Sequence, residues 1–242
     1  MFGSFDFAIL WANAPFLWNG MLLTLQLTGL AVTGGLLLGT VLAVARLSPI
    51  KPLAWVVEAY VNFLRSMPLI LVIFWFYTLV PKLIGRPVSS FYSVLIAFVM
   101  FEAAYYSEII RAGIQSVPRG QIEAAGILGL GRAQVFIEVV LPQAARAVYP
   151  AIINNLIQLL LGTSLLSAIA LPELTGTATV INARTLLYIQ TFSVTLIAYL
   201  VLSNCLSWIA EQIGARVFQP PLMLKQHTRR RLLLIPRQAN RN

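Results

Sequence analysis

Two glutamates stand where an acid is expensive. Glu102 and Glu108 lie near the middle and the end of an apolar run, residues 91–110. A charge at mid-membrane costs about 2.5–3.5 kcal/mol on insertion scales, so such a group needs a cavity or a partner. Six residues of helix turn the two by about 600°, so they share no face and need separate explanations. A later run, residues 148–171, carries Asn154, Asn155, Gln158, Thr163 and Ser164. Asn154 and Gln158 are one i,i+4 step apart and line a polar stripe, suited either to a translocation path or to hydrogen bonds between helices. Arg65 and Pro68 interrupt another run; the arginine can snorkel to the headgroups or line the path.

Some chemistry is excluded. The chain has no GxxxxGK[ST] phosphate loop, so energy from ATP must come through a partner. His227 is the only histidine and lies in a basic stretch, which rules out HExxH metal sites and argues against a histidine-based triad. Cys205, the one cysteine, has no intrachain disulfide partner and is read as packing. Neither catalysis nor a bound cofactor or metal is expected of this chain alone.

These groups must be held by elements built for lipid. Of 242 residues 59% are hydrophobic and 10% charged, with a mean hydropathy of +0.82, against about 25% charged in ordinary soluble domains. Windows of about 20 residues with one charge or none mark membrane spans. The reading is an all-α polytopic membrane protein with about five transmembrane helices, near residues 21–45, 54–80, 91–110, 148–171 and 186–210.

Residues 1–20 read as an extracytoplasmic lead rich in aromatics, which suit the headgroup level. With Arg46 the first positive charge, no cleavable signal peptide is expected. Gly35 and Gly39 form a GxxxG pair in the first span, a spacing that admits a neighbouring helix closely. In 54–80, proline disfavours helix in the residue before it. That predicts an interfacial helix to about Leu64, a bend at Arg65–Pro68 and a span over Leu69–Val80. Residues 81–88 read as a loop, 172–184 as a threonine-rich polar loop, and 216–242 as a basic, disordered, lipid-facing cytoplasmic tail.

Between the third and fourth spans lies a stretch made for water, residues 119–142. Gln121–Leu128 can form two helical turns with Glu123 on one side and Ile122, Ala125 and Leu128 on the other. Gly129-Leu130-Gly131 breaks the helix, since glycine freely takes positive φ. A second helix is predicted over Arg132–Val140, stopped by Pro142. If this elbow is cytoplasmic, thirteen basic residues fall inside: Arg46, Lys51, Arg111, Arg119, Arg132, Arg146 and the seven from Arg216 to Arg241. Outside would be Lys82, Arg86 and Arg184, with Arg65 at the inner edge. The positive-inside rule selects this arrangement, amino terminus outside and carboxyl terminus cytoplasmic. The basic residues are spread over loops and a tail, with no nucleic-acid-binding setting.

The spacing Glu123-Ala124-Ala125, three residues, Gly129, nine residues, an aliphatic residue, one residue, Leu141-Pro142 resembles the EAA loop of permease subunits of ATP-binding-cassette importers. Val139 stands where the family usually has isoleucine. The resemblance runs from about Thr24 to Ala215. Phe63-Leu64-Arg65-Ser66-Met67-Pro68, Ser107-Glu108-Ile109-Ile110-Arg111, Gly113-Ile114-Gln115-Ser116-Val117-Pro118, Leu141-Pro142-Gln143-Ala144 and Thr163-Ser164-Leu165 are similar to the polar amino-acid uptake branch. Residues 59–81 and 101–121 resemble most a glutamate/aspartate importer permease.

The resemblance implies the type I importer permease fold in a bacterial inner membrane, and Gln121, Glu123, Ala124, Ala125, Gly129, Leu141 and Pro142 as the element docking on a cytoplasmic ATPase. It also implies an ATPase dimer holding ATP and Mg, a second permease subunit, identical or not, and a periplasmic or extracellular amino-acid-binding protein. Arg65, Pro68, Glu102, Glu108, Asn154, Gln158, Thr163 and Ser164 are the candidates for the path. Many relatives carry Lys-Asp before Thr-Ser-Leu, where this chain has Leu161-Gly162, so the partner permease would supply that acid if the pair is a heterodimer. An ion- or proton-coupled secondary transporter or channel working through Glu102 is the alternative, but five spans do not divide into an inverted repeat. A membrane scaffold recruiting a soluble protein is a third.

Overall fold

In hydrocarbon every backbone polar group must be satisfied within the chain, so apolar runs of this length become helices. The computed structural model describes residues 7–218. These form α1 (Phe7–Ala12), α2 (Ala14–Arg46), α3 (Lys51–Arg65), α4 (Leu69–Ile84), α5 (Ser90–Gln115), α6 (Arg119–Ile127), α7 (Arg132–Gln134), α8 (Leu141–Gly162), α9 (Leu174–Thr185) and α10 (Tyr188–Val217). A π-helical turn, Val135–Val140, joins α7 to α8, and a 3-10 segment, Thr163–Ile169, continues α8. Among the described residues, four stretches are long and apolar enough to cross a membrane: Ala14–Arg46, Ser90–Gln115, Arg132–Ile169 and Tyr188–Val217. The pair α3 and α4, bent by 110°, makes a fifth when counted as one broken span. The break falls at Ser66–Pro68, where Pro68 takes an extended conformation before α4.

Helix α5 is the centre, packed against α2, α3, α4 and α8. Leu27 and Ala31 of α2, Ile73 of α4, Val94 and Phe98 of α5, and Leu159 of α8 close the largest apolar cluster. Gly34, Gly35 and Gly39 are points of close approach of α2 to α5. A Cβ at Gly39 would lie 2.8 Å from Tyr106 Cβ and 3.0 Å from the Ala103 carbonyl oxygen, the close approach that the GxxxG spacing permits. On the outward faces Leu37, Val41, Leu196, Leu200 and Trp208 are exposed, as a bilayer solvent allows.

The structure departs from the sequence reading at several boundaries. Helix α2 begins at Ala14, and α1 lies within the presumed lead, because Pro15 sits in the first turn of α2, where its missing N–H is no loss. Residues 81–88 are not wholly loop: α4 runs through Pro81 to Ile84 and ends at Gly85, φ 71°. Pro142 does not stop the second elbow helix, which runs on as one rod from Arg132 to Ile169. A proline ring collides with the carbonyl four residues back in a regular α-helix; here the wider π turn precedes it, and Gln143 Nε2 donates to the Val139 carbonyl at 2.9 Å. Residues 172–184 are not a loop but contain α9. Cys205 is exposed on α10, not packed inside. Of the tail placed at 216–242, residues 216 and 217 end α10, and everything beyond 218 lies outside the described residues.

Candidate functional site

The elbow is shaped by one buried alanine and one left-handed glycine. In α6, Gln121, Glu123 and Ala124 are exposed while Ala125 is buried, packed with Val117, Val135, Val140 and Ala144. The helix ends in a Schellman closure: Leu130 N–H donates to the Ala125 carbonyl at 3.2 Å and Gly129 N–H to the Gly126 carbonyl at 3.0 Å. Gly129 has φ 85°, a conformation a side chain resists. Leu130 closes over Ala125 in the same cluster, so the turn is held by packing as well as by hydrogen bonds. At the restart, Gln134 Oε1 accepts from Gly131 N–H at 3.0 Å. Ile127 and Leu128 at the tip are 86% and 79% exposed, and Leu141 and Pro142 are exposed too. Two apolar residues on a turn between charged neighbours form a surface for contact, not for solvation alone.

The two glutamates do have separate partners. Glu108 gathers three arginines from the ends of three helices: Arg46 Nη1 of α2 donates to Oε2 at 2.5 Å, Arg65 Nη1 of α3 lies 3.6 Å from Oε2, and Arg111 of α5 donates to Oε1. Glu58 adds a second acid, 3.5 Å from Arg46 Nη2. Arg65 also stands over the Tyr105 ring, 5.6 Å from its centroid, close enough for a cation–π contact. The knot therefore ties α2, α3 and α5 together next to the elbow, and Arg65 and Glu108 belong to it. Pro68 lies just beyond, at the α3–α4 bend. Glu102, at the middle of α5, is 3% exposed and accepts a hydrogen bond from Asn155 Nδ2 of α8.

Asn154 and Gln158 are exposed on α8, as is Leu161 on the same side. They form the stripe read from their spacing, on a face that no helix covers among the described residues. Ser164 is half-buried at its end. Thr163 points elsewhere: it is buried, and its Oγ1 donates to the Leu160 carbonyl at 2.7 Å and stands 3.5 Å from Tyr199 OH. The path candidates thus divide between the charged knot, the mid-membrane pair and the stripe.

One polar residue escaped the sequence reading. Glu173 is fully buried and caps α9, accepting from Thr175 N–H at 2.8 Å, Gly176 N–H at 2.7 Å and Tyr199 OH at 2.9 Å. Leu174 N–H donates to Thr24 Oγ1 of α2 at 3.2 Å. Burial pushes the Glu173 carboxyl up from the ordinary range, against the pull of these donors. The signal was an acid immediately before an apolar residue, at an N-cap position. Threonine and glycine in the stretch that follows hid it.

Comparison with known proteins is consistent with this arrangement. The family described as binding-protein-dependent transport system inner membrane component matches residues 35–219. The glutamate/aspartate import permease protein GltK of Escherichia coli O6:H1 is 44% identical over 187 residues, 74% of this chain and 84% of that protein. The arginine transport system permease protein ArtQ of Bacillus subtilis is 32% identical, covering 88% of this chain and 97% of its own. A solved amino acid ABC transporter with histidines superposes with a TM-score of 0.81 at 33% identity, over 87% of this chain and 98% of that one. The MetNI methionine ABC transporter, at 20% identity and a TM-score of 0.73, covering 86% of this chain and 99% of its own, shares the fold. The fold is therefore that of the type I importer permeases, multi-pass in an inner membrane, and this chain belongs to the inner-membrane components of binding-protein-dependent transport systems.

Proposed function

We propose that this chain is a permease subunit of an importer for polar L-amino acids, glutamate and aspartate first, driven by ATP hydrolysis in a partner. The observation that carries the coupling role is the elbow. Gln121, Glu123 and Ala124 are presented outward on a short helix anchored through Ala125 and Gly129, and both of its flanking rods enter the membrane. A cytoplasmic ATPase dimer holding ATP and Mg seats this elbow together with Leu141 and Pro142. Closure of the dimer then moves the ends of α5 and α8 as rigid bodies. The count of basic residues supports a cytoplasmic elbow and carboxyl terminus with the amino terminus outside.

The uncovered Asn154–Gln158 stripe is the surface this chain contributes to a path shared with a second permease subunit. A soluble binding protein delivers the amino acid on the far side. The identity to GltK favours glutamate or aspartate, while relatives named for arginine, glutamine and cystine keep the side chain open.

Uptake of labelled glutamate into proteoliposomes holding the whole complex, with ATP inside and the binding protein outside, tests this reading. ATP-dependent uptake competed by aspartate and not by arginine, glutamine or cystine is the expected result. ATP-independent uptake would support an ion-coupled carrier instead, and no uptake a scaffold.

A further inference from the structure

We infer that the hydrogen bond from Asn155 of α8 to Glu102 of α5 clamps these two helices into one body, so that displacement of the elbow reaches the Asn154–Gln158 stripe. Glu102 and Asn155 are then positioning residues for transport. The inference rests on the coupling role proposed above and adds to it the part that carries the motion into the membrane.

The two helices are the two arms of the elbow. Helix α5 leads into α6 through a turn at 116–118, and the elbow leaves without interruption into the rod that contains α8. Arms joined only at the elbow would scissor when it is pushed, and the angle between them would absorb the stroke. A polar joint at depth, added to the packing of α8 on α5, resists that. Glu102 lies at the middle of α5, is 3% exposed, and receives the Asn155 amide. Helix α2 closes off the other side, since a Cβ at Gly35 would lie 2.7 Å from Glu102 Cβ and 3.3 Å from Tyr106 Cδ2. Glu102 is therefore enclosed between α2 and α8.

The register of α8 makes the joint useful. Asn154 precedes Asn155, so the two side chains diverge by about 100°: one is held against α5 and the other is exposed on the stripe. Fixing Asn155 fixes the rotation of α8 about its axis, and with it the direction in which Asn154 and Gln158 face. The buried Tyr106 hydroxyl stands beside both partners as a further polar group, and interhelical hydrogen bonds of this kind hold membrane helices together.

The test uses the intact complex in proteoliposomes and reads amino acid imported per ATP hydrolysed. It compares Asn155→Leu, Glu102→Gln, and the exchange Glu102→Asn with Asn155→Glu. Asn155→Leu should lower the ratio by about fivefold or more, the usual scale of a lost coupling between sites. Glu102→Gln keeps an acceptor oxygen and should stay near the parent. The exchange keeps the combined side-chain length and one donor–acceptor pair, and should recover most of the loss.

In a Cys205→Ser background, spin labels at Ile96→Cys on α5 and Leu161→Cys on α8 should keep one distance when ATP binds, and lose that constancy once Asn155→Leu is added. An unchanged ratio and a constant label distance in Asn155→Leu would overturn the clamp, as would an exchange variant no better than the single one. The label distance needs no transported solute. If the parent complex imports none of the amino acids offered, the functional reading fails while the distance still decides the clamp.

Discussion

Replacing Gly39 by alanine should separate α2 from α5, and its cost can be worked from the structure. The new Cβ would lie 2.8 Å from Tyr106 Cβ, 3.0 Å from the Ala103 carbonyl oxygen and 3.1 Å from Ser107 N. Carbon pairs rest at about 3.5–4.0 Å, so the helices must part by about 0.7 Å locally, and a gap of 0.5–1 Å already forfeits a quarter to a half of each dispersion well. Two of the three obstacles are backbone of α5, which no rotamer change can clear. Overpacking of this kind costs about 1–3 kcal/mol.

Alanine is also a better helix former than glycine, by roughly 0.8–1.0 kcal/mol. Gly29 on the same helix controls for that gain, because nothing lies within 4 Å of a Cβ placed there. Thermal unfolding of the detergent-purified complex should therefore place Gly39→Ala about 2–12 °C below Gly29→Ala, at about 2–4 °C per kcal/mol for a chain of this size. Equal melting of the two variants would refute the close approach of α2 to α5.

Two further outcomes follow from local geometry. Gly129→Val forces a β-branched residue to φ 85° at a cost of about 1–2 kcal/mol, which should cut retention of the ATPase on co-purification by roughly 5- to 30-fold while the subunit still inserts. Full retention with normal transport would detach the elbow from coupling. Glu173→Ala removes the cap of α9, about 0.5–2 kcal/mol, and should raise amide hydrogen exchange across Leu174–Thr185 by roughly 2- to 30-fold. Unchanged protection there would mean that packing alone holds α9.

What the sequence determined by itself is whatever depends on neighbours in the chain. Runs of apolar residues become helices because lipid offers the backbone no other partner, and Pro68 bends α3 from α4 because its ring disfavours helix in the residue before it. Gly129 breaks the elbow because αL is open to it, and i,i+4 spacing alone sets Asn154 and Gln158 on one face of α8.

Only the tertiary structure decided the rest, because those features are made by groups far apart in sequence. Their place in an apolar run shows that Glu102 and Glu108 need partners, but that these are Asn155 for one and Arg46, Arg65 and Arg111 for the other is settled by which helices α5 touches. Helix α9 forms against the weak propensity of its threonines and glycine, because Glu173 caps it and burial beside α2 and α10 encloses it. Thr163, placed on the path by its motif, turns inward because the 3-10 segment that begins there points it at Tyr199. Pro142 reads as a stop only if the preceding turn is α-helical. The π turn widens the backbone just there, so the elbow runs unbroken into the membrane.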